Sequence, residues 1–210
     1  KNICFIHSCV LEEGNTIRLD YLIKYLKNSS LYEKLENIYI FNIGFKITNN
    51  CYGNKIKIVH YSNDPTLCEI PTLNKLIEYS NENKECNVLY LHTKGVKPGN
   101  YCQQIDDWIH LMYYFTIDKS AECIEKLNSG YQVVGCNYHQ FPPHFSGNFW
   151  WAKSSYLKDL SSLEENPSTY HMHNRGEFLL FHNNPSFYVM HNSGIDHYKE
   201  NYPKERYEIL

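Results

Sequence analysis

Apolar positions along the chain alternate between two periods. Residues 2–7 (NICFIH) are a short continuous apolar run, closed by Ser8 and then by Glu13-Gly14-Asn15, which predicts a first buried strand. From Thr16 the period lengthens. Leu19, Leu22, Ile23 and Leu26 recur at helical spacing, with Asn15 or Thr16 as N-cap and Asn28-Ser29-Ser30 as the stop. Residues 37–43 (NIYIFNI) and 55–60 (KIKIVH) repeat the strand signal, with turns in Thr48-Asn49-Asn50 and Gly53-Asn54. Pro71 opens a second helix carrying Leu73, Leu76 and Ile77 on one face. Residues 87–91 (NVLYL) lack polar alternation, the pattern of a strand buried on both faces.

A long helix is predicted from Ile105, Trp108, Ile109 and Met112 through Phe115, Ile124 and Leu127 to Ser129-Gly130, followed by a strand at 131–136 (YQVVGC). Beyond it the pattern loosens: 147–152 (GNFWWA) is strand-like, 154–160 and 177–181 are short helices, and 187–191 (FYVMH) is a last strand. Residues 138–144 (YHQFPPH) read as a loop, stiffened by two prolines into a cleft wall. The order predicts an α/β domain with a single open, mostly parallel sheet flanked by helices. No repeat, linker or low-complexity stretch divides the 210 residues, so one domain is expected, with a frayed, charged tail from Lys199.

Composition narrows the partners. Twenty basic against 23 acidic residues give a net charge of −3, which leaves no electrostatic footprint for nucleic acid. No apolar run reaches the roughly 18 residues of a membrane span, and the apolar start is too short for a secretory signal. The eight cysteines show no C-x-x-C pair or zinc-ligand spacing, so reduced thiols and a cytoplasmic location are expected. Nineteen Tyr and three Trp supply flat amphipathic rings beyond the needs of a core, as a sugar-binding surface requires.

Ligands of open α/β sheets bind beyond the carboxyl ends of the strands. Those positions hold His7-Ser8, His60-Tyr61-Ser62, His92-Thr93-Lys94-Gly95 and Asn137-Tyr138-His139. The segment after NVLYL is the richest: His92 and Lys94 flank Thr93, and Gly95 lets the backbone turn sharply, which outlines an anion site. Neither glycine-rich phosphate motif, G-x-x-x-x-G-K-[ST] or G-x-G-x-x-G, is present.

In order along residues 3–181, YLHTKG (90–95), the Trp108 helix, VVGCNY (133–138), FSGNFWWA (145–152) and Arg175-Gly176-Glu177-Phe178 resemble a group of GT-A glycosyltransferases. Glu69 and the PTLNKL segment that follows fit the same group. Its members occur in bacterial surface-polysaccharide systems and in large DNA viruses that glycosylate their own capsids. The resemblance implies a GT-A fold over 1–210, with a nucleotide-binding half (1–95) and an acceptor-side half (96–210). It also implies transfer of a hexose or deoxyhexose, rhamnose among them, from a UDP-sugar to a hydroxyl of a glycan or glycoprotein, with inversion.

GT-A enzymes normally end the equivalent strand in a metal-binding Asp-X-Asp, which this chain lacks. The resemblance therefore puts His92, Lys94 and Gly95 at the donor diphosphate, with His191 as a further contact. The Lys94 ammonium would supply the counter-charge, no cofactor would be required and no metal ligand is assigned. A non-essential Mn or Mg, with His191 or His197 as a late ligand, stays open. His7, Ser8 and Thr72 would meet the nucleotide. Asn148 would bind sugar hydroxyls, and one of Trp150 and Trp151, which point to opposite sides of a strand, would stack on sugar while the other packs in the core. Glu177 is the expected catalytic base, with Asp106 and Asp107 as runners-up. Two alternatives remain: a retaining, Mn-dependent UDP-glucose transferase, and a non-catalytic lectin-like or nucleotide-sugar-binding domain.

Overall fold

The computed structural model describes residues 1–48, 52–97, 101–165 and 176–208. The chain alternates as expected through β1 (Asn2–Val10), α1 (Ile17–Asn28), α2 (Leu31–Lys34), β2 (Asn37–Gly44), β3 (Ile56–Ser62), α3 (Ile70–Glu82) and β4 (Asn87–His92). It continues through α4 (Gln103–Tyr113), α5 (Ser120–Asn128), β5 (Val133–Gly135), β6 (Tyr138–Gln140), β7 (Pro143–Phe145), β8 (Trp150–Lys153), α6 (Ser154–Leu157) and β9 (Phe187–Val189). Seven strands make one sheet in the order β3-β2-β1-β4-β8-β5-β9. All neighbours are parallel except β8, which runs antiparallel between β4 and β5. The architecture is thus mixed α/β, with a large, mostly parallel sheet covered by helices.

Side-chain alternation along the central strands splits the core in two. Cys4 and Ile6 of β1, Leu89 and Leu91 of β4 and Trp151 of β8 pack under α1, α4 and α5. Ile3, Phe5, Val88, Tyr90 and Trp150 face the opposite layer, built from α3, α6 and the 3-10 turn Gly176–Phe181. Both faces of β1 and β4 are therefore covered, which explains their unbroken apolar composition.

Several local expectations change. The long helix after Ile105 is interrupted: α4 passes into a π-helical turn at Tyr114–Asp118 before α5 begins, although the apolar spacing runs on through Phe115 and Ile117. The predicted loop at 138–144 is a two-stranded hairpin, β6 and β7 pairing antiparallel. The tail is anchored rather than frayed, because Tyr202 and Tyr207 are buried against the α1/α4 layer and stack on each other at 5.8 Å. Asn49, Asn50 and Arg175 lie outside the described residues. Seven described cysteines are free thiols.

Candidate functional site

The site is assembled where β1 and β4 end side by side. His7 and His92 are register partners across the parallel pair, and the Thr93 N–H donates to the His7 carbonyl at 2.9 Å. Thr93 Oγ1 in turn accepts from the Cys9 N–H at 3.0 Å. Two strands and the His-Thr-Lys-Gly turn are thereby fixed to one another. The first turn of α3 joins them through a buried hydrogen bond between His7 Nδ1 and Thr72 Oγ1, 2.9 Å. Burial pushes His7 down to about 4, so its imidazole is neutral at pH 7.

The residue just before α3, Glu69, is the centre of this assembly. Its Oε2 accepts from the Tyr90 hydroxyl at 2.8 Å and from Asn148 Nδ2, while Oε1 lies 3.9 Å from His92 Nε2. Burial alone would raise the Glu69 carboxyl. The neighbouring His92 and His7 and the bonds from Tyr90 and Asn148 outweigh it, so the group stays ionised below its ordinary value. His92 is lowered, chiefly by burial, and donates Nε2–H to the Gly147 carbonyl at 2.7 Å. Asn148, held in the left-handed region at φ 56°, accepts from the Trp150 indole at 2.8 Å. The Gly147-Asn148 turn therefore orients both His92 and Glu69.

Gly147 is required there. Its φ is +89°, and a Cβ would stand 2.2 Å from Met112 Sδ. Gly147→Ala is expected to cost about 2–3 kcal/mol through the strained φ and the overpacked contact. Urea denaturation checks this; a loss below about 0.5 kcal/mol would mean that the turn relaxes freely.

Lys94 lies next to this network. Its Nζ sits over the Trp108 ring at 3.6 Å, with the Tyr198 ring at 5.7 Å. Burial lowers its pKa to about 8, against the opposing pull of the Glu69 and Glu177 carboxylates. At pH 7 the group is still an ammonium, poorly solvated and flanked by two acids. Glu177 is brought close by the turn Gly176–Phe181, which packs on α3: a Cβ on Gly176 would lie 2.7 Å from Leu73 and 3.3 Å from Glu69 Cβ. Beside this cluster, residues 8–12 of β1 and its extension form a small pocket with Thr16, Arg18, Thr93, Val96 and Tyr101, and the charge of Lys97 reaches Cys9 within it.

The predicted residues divide into three groups. His92, Lys94, Glu177 and Asn148 are brought together, and Gly95 makes the expected turn with φ +74°. His7, Ser8 and Thr72 adjoin them and are fully or almost fully buried, while residues 8–12 line the small pocket. Ser8 Oγ is buried without a hydrogen-bond partner among the described residues.

Two expectations are corrected. Trp150 and Trp151 do point to opposite faces, but both are core, 1% and 0% exposed, because helices cover both sides of β8; neither ring is on a surface that sugar could reach. His191 is engaged elsewhere, stacked on Phe115 at 4.8 Å and bonded to the Tyr202 hydroxyl at 3.0 Å. The histidine at the Lys94 platform is His197, whose ring stacks on Trp108 at 5.1 Å. Of the runner-up carboxylates, Asp106 pairs with Arg18 at 2.6 Å and Asp107 accepts from Gln103 at 2.6 Å. Lys97 was not singled out from the sequence, and Glu69 entered only through the family resemblance, without a site role. The available signal for Glu69 was its place immediately before a Pro-opened helix, at the carboxyl edge of the sheet.

The described residues contain no group of three or more His, Cys, Asp or Glu side chains arranged to hold a metal ion. His92 Nε2 and Glu69 Oε2 are engaged with the protein's own groups. Among the described residues no helix is long and apolar enough to cross a membrane.

Comparison with known proteins identifies a domain of unknown function (DUF8361) over residues 19–203, and the chain belongs to that family. No curated protein matches it.

Proposed function

We propose that this DUF8361 domain is a GT-A nucleotide-sugar glycosyltransferase that moves a hexose or deoxyhexose from a UDP-sugar to a glycan hydroxyl with inversion. The observation that carries the reading is the Lys94 ammonium, seated on Trp108 at the carboxyl end of β4 and within electrostatic reach of Glu177. An open sheet binds ligands at that edge, beside the pocket at the end of β1. Diphosphate on Lys94 would give the poorly solvated ammonium a direct, charge-assisted partner.

In the reaction, a Glu177 carboxylate oxygen removes the proton of the acceptor hydroxyl. The acceptor hydroxyl oxygen attacks the anomeric carbon as the bond to the diphosphate oxygen breaks, and the departing electron pair comes to rest on diphosphate held by Lys94. Glu69, fixed by Tyr90 and Asn148, keeps Lys94 protonated. The engaged His92 and Glu69 atoms favour this metal-free route over a Mn-dependent one.

Release of nucleotide from a panel of UDP-sugars, measured with and without EDTA, tests the proposal. Turnover that survives EDTA is expected. Turnover abolished by EDTA and restored by Mn would overturn the role given to Lys94, and no turnover with any nucleotide sugar would count against the enzyme itself.

A further inference from the structure

An open cleft of about 730 Å³ lies between the β6-β7 hairpin and the turn at 192–198, and Trp108 is part of its wall. Its size falls within the roughly 300–1,000 Å³ typical of small-molecule sites. Two nearly buried residues of this wall carry polar atoms without a hydrogen-bond partner among the described residues: the Trp108 indole N–H and His197 Nδ1, in side chains 3% and 4% exposed. Neither is explained by the protein's own bonding, since His197 meets Ser193 and Asn137 through Nε2 alone.

The chemistry of the walls is aromatic and neutral. Tyr198, 67% exposed, meets the Trp108 ring edge-on at 5.1 Å, and on the hairpin His139 and His144 stack at 5.0 Å. Among the described residues no Lys or Arg lines the cleft, and the carboxylate that does, Asp196, is paired with Lys199 at 2.9 Å. Burial lowers His139, followed by the effect of His144, and burial holds His197 near 4, so both rings are uncharged at pH 7. The neighbouring cation, Lys94, is held over the Trp108 ring at one end, and along the hairpin a uronate, phosphate or acidic peptide would meet no lysine or arginine among the described lining residues. Ring faces interleaved with amide and hydroxyl groups suit a polyhydroxylated, uncharged ligand.

We propose that this cleft binds a neutral oligosaccharide of two or more sugar units, its rings packed against Tyr198 and the stacked His139 and His144 of the hairpin. That this ligand is the acceptor rests on the transferase reading, because Trp108 also carries Lys94. The cleft holds more than one ring fills, which excludes a lone monosaccharide as the full occupant.

The test is an array of neutral oligosaccharides of increasing length, from monosaccharide to tetrasaccharide, with uronate-bearing counterparts, probed with the whole domain in the presence of UDP. Neutral di- to tetrasaccharides should bind at least tenfold more tightly than monosaccharides or uronates. Tyr198→Ala and His139→Ala, both at exposed side chains, should each weaken that binding tenfold or more without lowering the melting temperature. Equal binding of monosaccharides, a preference for uronates, or variants that bind as wild type would overturn the proposal. So would absence of glycan binding by a domain whose melting temperature UDP raises. Glycan binding without any response to UDP would uphold the cleft and remove the transferase reading instead.

Discussion

Lys94→Met weakens nucleoside diphosphate binding by about 100-fold, the loss expected for a charge-assisted contact in a poorly solvated site. Methionine keeps the aliphatic stem and its packing on Trp108, so the fold is not at risk. Stability should hold or rise. The folded Lys94 pKa, about 8, lies below its ordinary 10.5, so at pH 7 the fold carries the burden of a desolvated ammonium that Met removes.

The same shift sets the sign of a pH effect on the wild type. Diphosphate favours the protonated amine. Below pH 8 the amine is already charged, and this group adds no pH dependence; above pH 8, binding must take up a proton, and affinity should fall by up to tenfold per pH unit. The Met variant should lack that decline. Calorimetry between pH 7 and 9.5 on both proteins reads it directly, and parallel profiles would remove Lys94 from the diphosphate site.

Glu177→Gln has the second large effect. Loss of a general base lowers transfer by about 10²–10⁴-fold, whereas nucleotide affinity at pH 7 should change by less than about threefold. Glutamine preserves size and hydrogen bonding, so the turn Gly176–Phe181, with Phe178 to Phe181 buried, stays in place. A second signature follows from its position. Glu177 helps to keep Lys94 protonated, so the Gln variant should begin to lose diphosphate affinity at a lower pH than wild type. Retained transfer would take Glu177 out of the base role. Lost transfer without the pH displacement would leave it catalytic but place it farther from Lys94 than the fold indicates.

Much of the scaffold was legible because it rests on local periodicity. The apolar runs of β1 and β4 and the helical spacing of α1 and α3 are properties of consecutive residues, and Lys94 was legible as the first cation after a doubly buried strand. Direction is not encoded in a period of two, so the reversal of β8 between β4 and β5 could not be read from GNFWWA. That reversal, with helices on both faces, also buries both tryptophans, where strand alternation alone suggested that one stayed open. The hairpin escaped because its strands are three residues each, around two prolines.

Glu69 illustrates the harder limit. Its partners Tyr90, His92 and Asn148 are contributed by β4 and by a turn 79 residues further along the chain. Only the sheet brings them together; the local sequence places Glu69 before a Pro-opened helix but does not name its partners. His197 replaced His191 at the Lys94 platform for a similar reason: the two stand six positions apart on irregular chain, and tertiary packing with Phe115, Tyr202 and Trp108 decides which ring goes where.

The central claim is that the carboxyl edge of β1 and β4 holds a nucleoside diphosphate through Lys94. Calorimetric titration of the wild-type domain with UDP, GDP, CDP and dTDP, repeated on Lys94→Met, tests it most directly. The account predicts one-to-one binding with UDP strongest, reduced by about 100-fold in the variant. Absence of binding to all four nucleotides, or equal affinity of the two proteins, would contradict it.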